Sequence, residues 1–150
     1  MSILFSLVLH KQKMRAILQS NVDHKELDPS VITLFSGTVS HRWLFSKCSL
    51  VLCHGGYGTI STALRVGVPL IVCPFGFDQS FWSDQLEWLG VAKGCPHINR
   101  LKEPDLTAAI LAALSDNTKS KIQEISKLLN QEDGLKNVLK TVMQTFNLQS

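Results

Sequence analysis

The chain has 150 residues, a length typical of one domain. Its apolar content of 45% is sufficient for a hydrophobic core, and its charged content of 18% is too low for a disordered tail. Its net charge is +3, without a dense block of lysine and arginine. This balance argues against bulk nucleic-acid binding and is compatible with a small anionic ligand, although an ordinary, mildly basic surface explains the charge equally well.

The cysteines and the first apolar run indicate the cellular compartment and whether the chain crosses a membrane. The four cysteines form no C-x-x-C pair, and three lie in or beside apolar runs, where cysteine behaves as a small hydrophobe. We therefore predict a reduced, cytoplasmic setting, with peripheral contact to membranes left open. Residues 3–9 are apolar but far fewer than the roughly 20 residues that a membrane helix requires, so no membrane span is predicted.

In chain order, helical and extended patterns alternate. The predicted helices are 2–12, 40–46, 59–66, 80–89, 106–114, 118–129 and 135–146, and the predicted strands are 15–19, 31–35 (buried), 49–53 and 68–73, with 92–98 irregular or a short strand. Such alternation predicts an α/β fold with a parallel sheet covered by helices. Ligands of these sheets bind at the carboxyl ends of the strands, where loops 54–59 and 74–79 should lie side by side.

A glycine-rich turn joins a predicted strand to a predicted helix. The turn contains His54, Gly55, Gly56, Gly58 and Thr59. Free N–H groups and the helix dipole point at one spot in such a turn, which favours an anion, most often a phosphate. The glycine backbone and the Thr59 hydroxyl would hold a diphosphate, with His54 adding a donor. The alternative is a tight turn without a ligand, because neither the dinucleotide fingerprint nor the phosphate-loop signature is present.

Two further segments offer candidate binding residues. Asp78 and Gln79 stand side by side after the next strand, and their acceptors and donors suit vicinal hydroxyls. The alternative is that they begin a helix, where Asp is a good cap. Trp43 could stack on a nucleobase, although burial in the core is the more frequent fate of such a residue.

No catalytic apparatus is visible in the sequence. We find neither a nucleophile elbow nor a cluster of metal ligands, and we therefore assign no catalytic residue and no metal site. The isolated histidines His10, His24 and His97 are interpreted as surface residues or as residues with satisfied hydrogen bonds.

Several ordered motifs together resemble the C-terminal, donor-binding domain of GT-B UDP-glycosyltransferases, with sterol 3-beta-glucosyltransferases as the nearest likeness. The motifs are His41-x-Trp43-Leu44-Phe45, His54-Gly55-Gly56-x-Gly58-Thr59, Gly67-Val68-Pro69 and Pro74-Phe75-Gly76-Phe77-Asp78-Gln79-x-Phe81-Trp82. The resemblance implies a Rossmann-like parallel sheet with helices on both faces. It also implies that Trp43 stacks on the base, that His54, Gly56 and Thr59 bind the diphosphate, and that Asp78 and Gln79 bind the donor sugar.

The chain departs from the family pattern in what it lacks. The family's domain opens with a strand that has no counterpart here, and no acceptor-binding domain with its general base is present, so we expect residues 1–150 to form a partial nucleotide-sugar-binding domain. As part of a complete enzyme, it would help to transfer a hexose, glucose above all, from a UDP-sugar to a lipid or small-molecule hydroxyl such as a sterol. The resemblance implies that the family's reaction needs no metal or cofactor. It also implies that the isolated chain is inactive, because the acceptor-binding half and its base are missing.

The alternative function is a non-catalytic module of a split or truncated transferase. It would bind nucleotide-sugar, or a separate polypeptide that supplies the acceptor domain. No nucleic-acid partner is expected.

Overall fold

The computed structural model describes residues 2–20 and 26–146, so that His24 lies outside the described residues. Helices and strands alternate along this part of the chain as the sequence predicts. The helices are α1 Ser2–Lys11, α2 His41–Phe45, α3 Tyr57–Val66, α4 Gln79–Leu89, α5 Glu103–Ala113, α6 Asp116–Gln131 and α7 Gly134–Thr145, with a 3₁₀ turn at Ile98–Arg100. The strands are β1 Ala16–Gln19, β2 Ile32–Phe35, β3 Val51–Cys53, β4 Leu70–Val72 and β5 Ala92–Gly94.

The N-terminus of α5 shows how local chemistry sets a boundary. The predicted helix begins at residue 106, but α5 begins at Glu103. Pro104 is accommodated in the first turn, where the N–H that proline lacks would have no helical partner. The Asp105 carboxylate also accepts the Lys102 N–H at 3.0 Å, which fixes the start of the helix.

The strands are all parallel but form two sheets in the described chain, where the sequence predicts one. β1 pairs with β2, while β4 lies between β3 and β5. Among the described residues, no strand joins β1 to β3, so the sheet is divided into two parts.

Helices cover both faces of the larger sheet. Leu70 and Val72 of β4 point into one buried cluster with Ile60 of α3 and Ile122 of α6. The alternate residue Ile71 points into a second cluster, with α1 and α5. Because β4 is enclosed on both sides, all three of its residues are buried, as expected for a central parallel strand.

The smaller sheet is covered less completely. Val31 and Ile32 are buried against Leu9 of α1, but residues 33–35 are exposed. The prediction that 31–35 is a buried strand is therefore wrong for its second half, because the cluster that covers this sheet is confined to the beginning of β2.

Asp28 joins α1 to the start of β2 and should make this junction sensitive to acid. Its carboxylate lies 2.6 Å from His10 Nε2 and accepts the Ser30 N–H at 2.8 Å, and these bonds lower its pKa from 3.8 to about 2. Since the folded pKa is the lower one, the stabilisation is complete above pH 4 and is lost as the pH falls towards 2. An NMR titration should place the Asp28 midpoint near 2, and Asp28→Asn should flatten the pH dependence of stability in this window. A midpoint near 4 would contradict the assignment.

Candidate ligand site at the carboxyl ends of β3 and β4

The turn after β3 packs directly on the next strand and helix. Gly55 has φ +100°, and a Cβ at this position would lie 2.8 Å from Cγ1 of Val72 and 3.3 Å from Cβ of Gln79. Only glycine meets both demands without strain. The predicted juxtaposition of loops 54–59 and 74–79 is therefore confirmed, and Gly55 is one point at which they touch.

The same turn begins α3 without a side-chain cap. Gly56 occupies the N-cap position and has no side chain to accept the first N–H groups of the helix. Space is open around Gly58, where an added Cβ would meet nothing within 4 Å. A helix N-terminus with uncapped N–H groups and free space in its first turn can accept an anion.

His54 directly follows β3, and its side chain lies against this turn. A Cβ on Gly56 would lie 2.7 Å from His54 Nε2, so the ring sits directly beside the helix N-terminus. The ring also stacks on Phe75 of the second loop, with centroids 6.1 Å apart and planes inclined by 12°. The imidazole is exposed and can donate to an anion held at the start of α3.

The second loop is held by its own polar side chains. Oε1 of Gln79 accepts the N–H groups of Phe75 at 2.7 Å and Gly76 at 3.2 Å, which leaves the amide nitrogen as the donor available to a ligand. Asp78 stands at the N-cap of α4, but its side chain makes no cap bond. Its Oδ2 instead accepts Nε1–H of Trp82 at 2.9 Å, which holds the carboxylate in place. The alternative that these residues begin a helix is therefore confirmed for their position, but not for a cap bond from the Asp78 side chain.

Trp43 lies apart from these two loops. Its side chain is 60% exposed, so the alternative of burial is not seen, and Phe45 enters the core instead. Trp43 lines an open cavity of about 480 Å³ together with residues of α2, its two cap residues and the C-terminal end of α3: Ser40, Arg42, Ser46, Arg65 and Val66. From Thr59 to Arg65 the helix rises roughly 9 Å, so the structure does not bring Trp43 together with the residues of the glycine turn.

His97 is a residue whose contribution the sequence did not reveal. Its Nδ1 accepts the Asn99 N–H at 3.2 Å, and its Nε2 lies 2.9 Å from the carbonyl oxygen of Phe75. The network therefore indicates the tautomer with the proton on Nε2, donating to the second loop. The interpretation of His97 as a satisfied histidine is confirmed, but it also positions the loop of Asp78. The parallel pairing of β4 and β5, which brings their following loops together, is the only signal that could have indicated this.

Across 2–20 and 26–146, no group of three or more His, Cys, Asp or Glu side chains is arranged to hold a metal ion. In the same ranges, every helix is too short or too polar to cross a bilayer.

Comparisons with known proteins show which proteins the chain is similar to. Residues 6–141 match the model of the glycosyltransferase family 28 C-terminal domain. A UDP-sugar-dependent glycosyltransferase from Dictyostelium discoideum is 35% identical over 80% of the chain, and a sterol 3-beta-glucosyltransferase from Arabidopsis thaliana is 39% identical over 63%. The chain spans only 7% and 15% of the lengths of these two relatives.

Solved structures show the same fold at low sequence identity. The glycosyltransferase of kitacinnamycin superposes with a TM-score of 0.81 at 22% identity, covering 94% of this chain and 38% of that one. The glycosyltransferase VinC, solved in complex with dTDP, gives 0.77 at 17%, covering 95% and 36%. The predicted α/β fold of the C-terminal part of a GT-B enzyme is confirmed.

Proposed function

Because the chain belongs to the glycosyltransferase family 28 C-terminal domains, we propose that its site binds a nucleotide-sugar donor, and specifically UDP-glucose. One observation carries the proposal: the uncapped N-terminus of α3 lies directly against the loop that presents Asp78 and Gln79. An anion site beside a polar loop suits a ligand in which a diphosphate is joined to a sugar.

Each part of the donor has a proposed partner in this arrangement. The first N–H groups of α3, with the Thr59 hydroxyl and the His54 imidazole, hold the diphosphate. The Asp78 carboxylate and the Gln79 amide nitrogen bind sugar hydroxyls, and Trp43 stacks on the base. Gly58 leaves room for the phosphates to approach the backbone.

The chemistry proposed for the complete enzyme is direct displacement at the anomeric carbon. An acceptor hydroxyl, which the names of the relatives suggest is that of a sterol, forms the new C–O bond while the bond to the diphosphate breaks. Its proton passes to a base of the acceptor-binding part, and the electron pair leaves on the diphosphate. The N-terminus of α3 and His54 stabilise this departing charge without a metal ion.

Calorimetric titration of the purified chain with UDP and with UDP-glucose tests the donor site. His54→Ala should weaken both ligands by about tenfold, the value of one charge-assisted contact. Asp78→Asn should weaken UDP-glucose by a similar factor and leave UDP unchanged, because the carboxylate is assigned to the sugar. Excess EDTA should alter neither affinity. Binding of neither ligand by a folded protein would refute the proposal.

A second candidate function is a non-catalytic nucleotide-sugar-binding partner in a split transferase. The observation that favours it is that the start of α3 and the loop of Asp78 and Gln79 both lie on this one chain, which could therefore hold the donor without transferring it. Incubation with UDP-glucose and a sterol separates the two ideas, since turnover by the chain alone would support a self-sufficient enzyme and binding without turnover would support the module.

A further inference from the structure

Two of the four cysteines lie side by side at the ends of neighbouring strands. In the register of β4 and β5, Val72 is opposite Gly94. The next residues, Cys73 and Cys95, are therefore opposite one another, and the Cys95 N–H donates to the Val72 carbonyl at 2.8 Å, so the pairing continues to this point. Both side chains enter the buried cluster that contains Leu106 of α5, which means that they leave the sheet on the same face.

These positions suit a disulfide. Neighbouring strands lie about 4.7–4.9 Å apart, and a disulfide joins residues whose Cα atoms are about 4.4–6.8 Å apart. The two side chains already interact, since a hydrogen bond joins the Cys73 and Cys95 thiols. Neither strand would have to change its register to bring the sulfur atoms together.

The other two cysteines lie away from this pair. Cys53 is opposite Val72 in the register of β3 and β4, and its side chain packs on the other face of the sheet, against the cluster that contains Ile60. The Cys48 thiol donates to the Leu44 carbonyl at 3.3 Å, in the turn that follows α2. Cys53 is therefore a matched control for the pair, because it stands at the same edge of the same sheet.

The two thiols of the pair are not equivalent. Cys95 is 9% exposed and Cys73 is 1% exposed, so a small molecule that enters from solvent meets Cys95 first. The hydrogen bond from Cys73 lowers the pKa of the Cys95 thiol, whereas that bond and burial raise the pKa of the Cys73 thiol. Because the thiolate is the reactive form, Cys95 is the attacking sulfur and Cys73 is the one that resolves the intermediate.

We propose that Cys73 and Cys95 form a redox-active pair, which hydrogen peroxide converts reversibly into a disulfide. The Cys95 sulfur attacks one peroxide oxygen and the O–O bond breaks, which gives a sulfenic acid on Cys95 and one molecule of water. The Cys73 sulfur then attacks the Cys95 sulfur, the S–O bond breaks, and a second water leaves with the Cys73 proton. In all, the two thiols lose two protons and two electrons, and the peroxide gains them.

The pair stands at the base of loop 74–79. Cys73 is the residue before this loop, and Cys95 holds the same place before the segment that follows β5. The Ile98 N–H donates to the Pro74 carbonyl at 3.2 Å, so hydrogen bonding already joins the two segments, and a disulfide would add a covalent link beside it. Oxidation should therefore shift the amide NMR signal of Ile98 and leave the signals of β1 unchanged.

Differential alkylation of the intact, folded chain tests the proposal. Reduced protein is treated with a small molar excess of hydrogen peroxide, its free thiols are blocked with iodoacetamide in urea, and the remaining cysteines are reduced and labelled with N-ethylmaleimide. Mass spectrometry of the digested protein should find the second label on Cys73 and Cys95 together. Cys48 and Cys53 should carry the first label. Dithiothreitol added before blocking should return all four residues to the first label.

Single alanine variants test the two roles. Cys53→Ala should form the disulfide at the wild-type rate. Cys73→Ala should stop at the sulfenic acid, which dimedone captures on Cys95, whereas Cys95→Ala should give about tenfold less dimedone adduct on Cys73 because that thiol is more buried and less acidic. Circular dichroism establishes that each variant is folded.

Four results would overturn the proposal: iodoacetamide on both Cys73 and Cys95 of the oxidised wild type, a disulfide that contains Cys48 or Cys53, a link between two chains, or a bond that forms only after unfolding. The outcome is independent of the donor site, because the disulfide is detected by mass in the absence of nucleotide.

Discussion

Replacing Gly55 with alanine is expected to lower the free energy of unfolding by about 2–5 kcal/mol. A non-glycine residue at φ +100° is strained, and the new methyl group would lie 2.8 Å from the Val72 side chain at the buried end of β4. The backbone strain and the steric clash both destabilise the contact between the two loops. Urea unfolding followed by circular dichroism measures the loss as a fall in the midpoint at unchanged slope.

The matched control for this substitution is Gly134→Ala. Gly134 is the first residue of α7, and it has open space around its Cβ position and no positive φ. Its replacement should leave stability unchanged or raise it slightly, because alanine is the better helix former. If Gly55→Ala changed the unfolding free energy by less than 0.5 kcal/mol, about the scatter of neutral substitutions, the tight packing of the two loops would be wrong.

Gly58→Ala is expected to weaken nucleotide binding without lowering the stability of the fold. The added methyl group meets nothing within 4 Å, so the fold should be at least as stable as the wild type. The same methyl group would occupy the space in which we propose that the diphosphate approaches α3. The affinity for UDP should therefore fall at least tenfold, equivalent to about 1.4 kcal/mol, when measured by calorimetry.

Gly134→Ala serves here as well, since it is the same substitution in the first turn of a helix remote from the proposed site. It should leave the UDP affinity unchanged. Equal affinities for wild type and Gly58→Ala would place the diphosphate elsewhere, even if the chain binds UDP.

The parts of the fold that the sequence predicts are those governed by local chemistry. Strand β3, the glycine turn and helix α3 follow one another within 16 residues, and apolar periodicity with glycine punctuation is enough to recognise them. The adjacency of the two loops then follows from parallel strands, without further information.

The parts that the sequence did not predict depend on contacts between distant residues. The separation into two sheets is a property of strand pairing, and the exposure of the second half of β2 depends on where α1 packs. The hydrogen bond from His97 to Phe75 joins residues 22 positions apart. The sequence indicates a ligand contact or the start of a helix for Gln79, but no pattern of residue types reveals that its amide oxygen holds its own loop.

The central claim is that the N-terminus of α3 binds the diphosphate of a nucleotide-sugar, and NMR titration of the ¹⁵N-labelled chain with UDP tests it most directly. We predict saturable shifts of the Tyr57, Gly58 and Thr59 amides, with UDP-glucose adding shifts in the loop of Asp78 and Gln79. A folded chain whose α3 amides stay unchanged at saturating UDP, or whose shifts are confined to another surface, would contradict the claim.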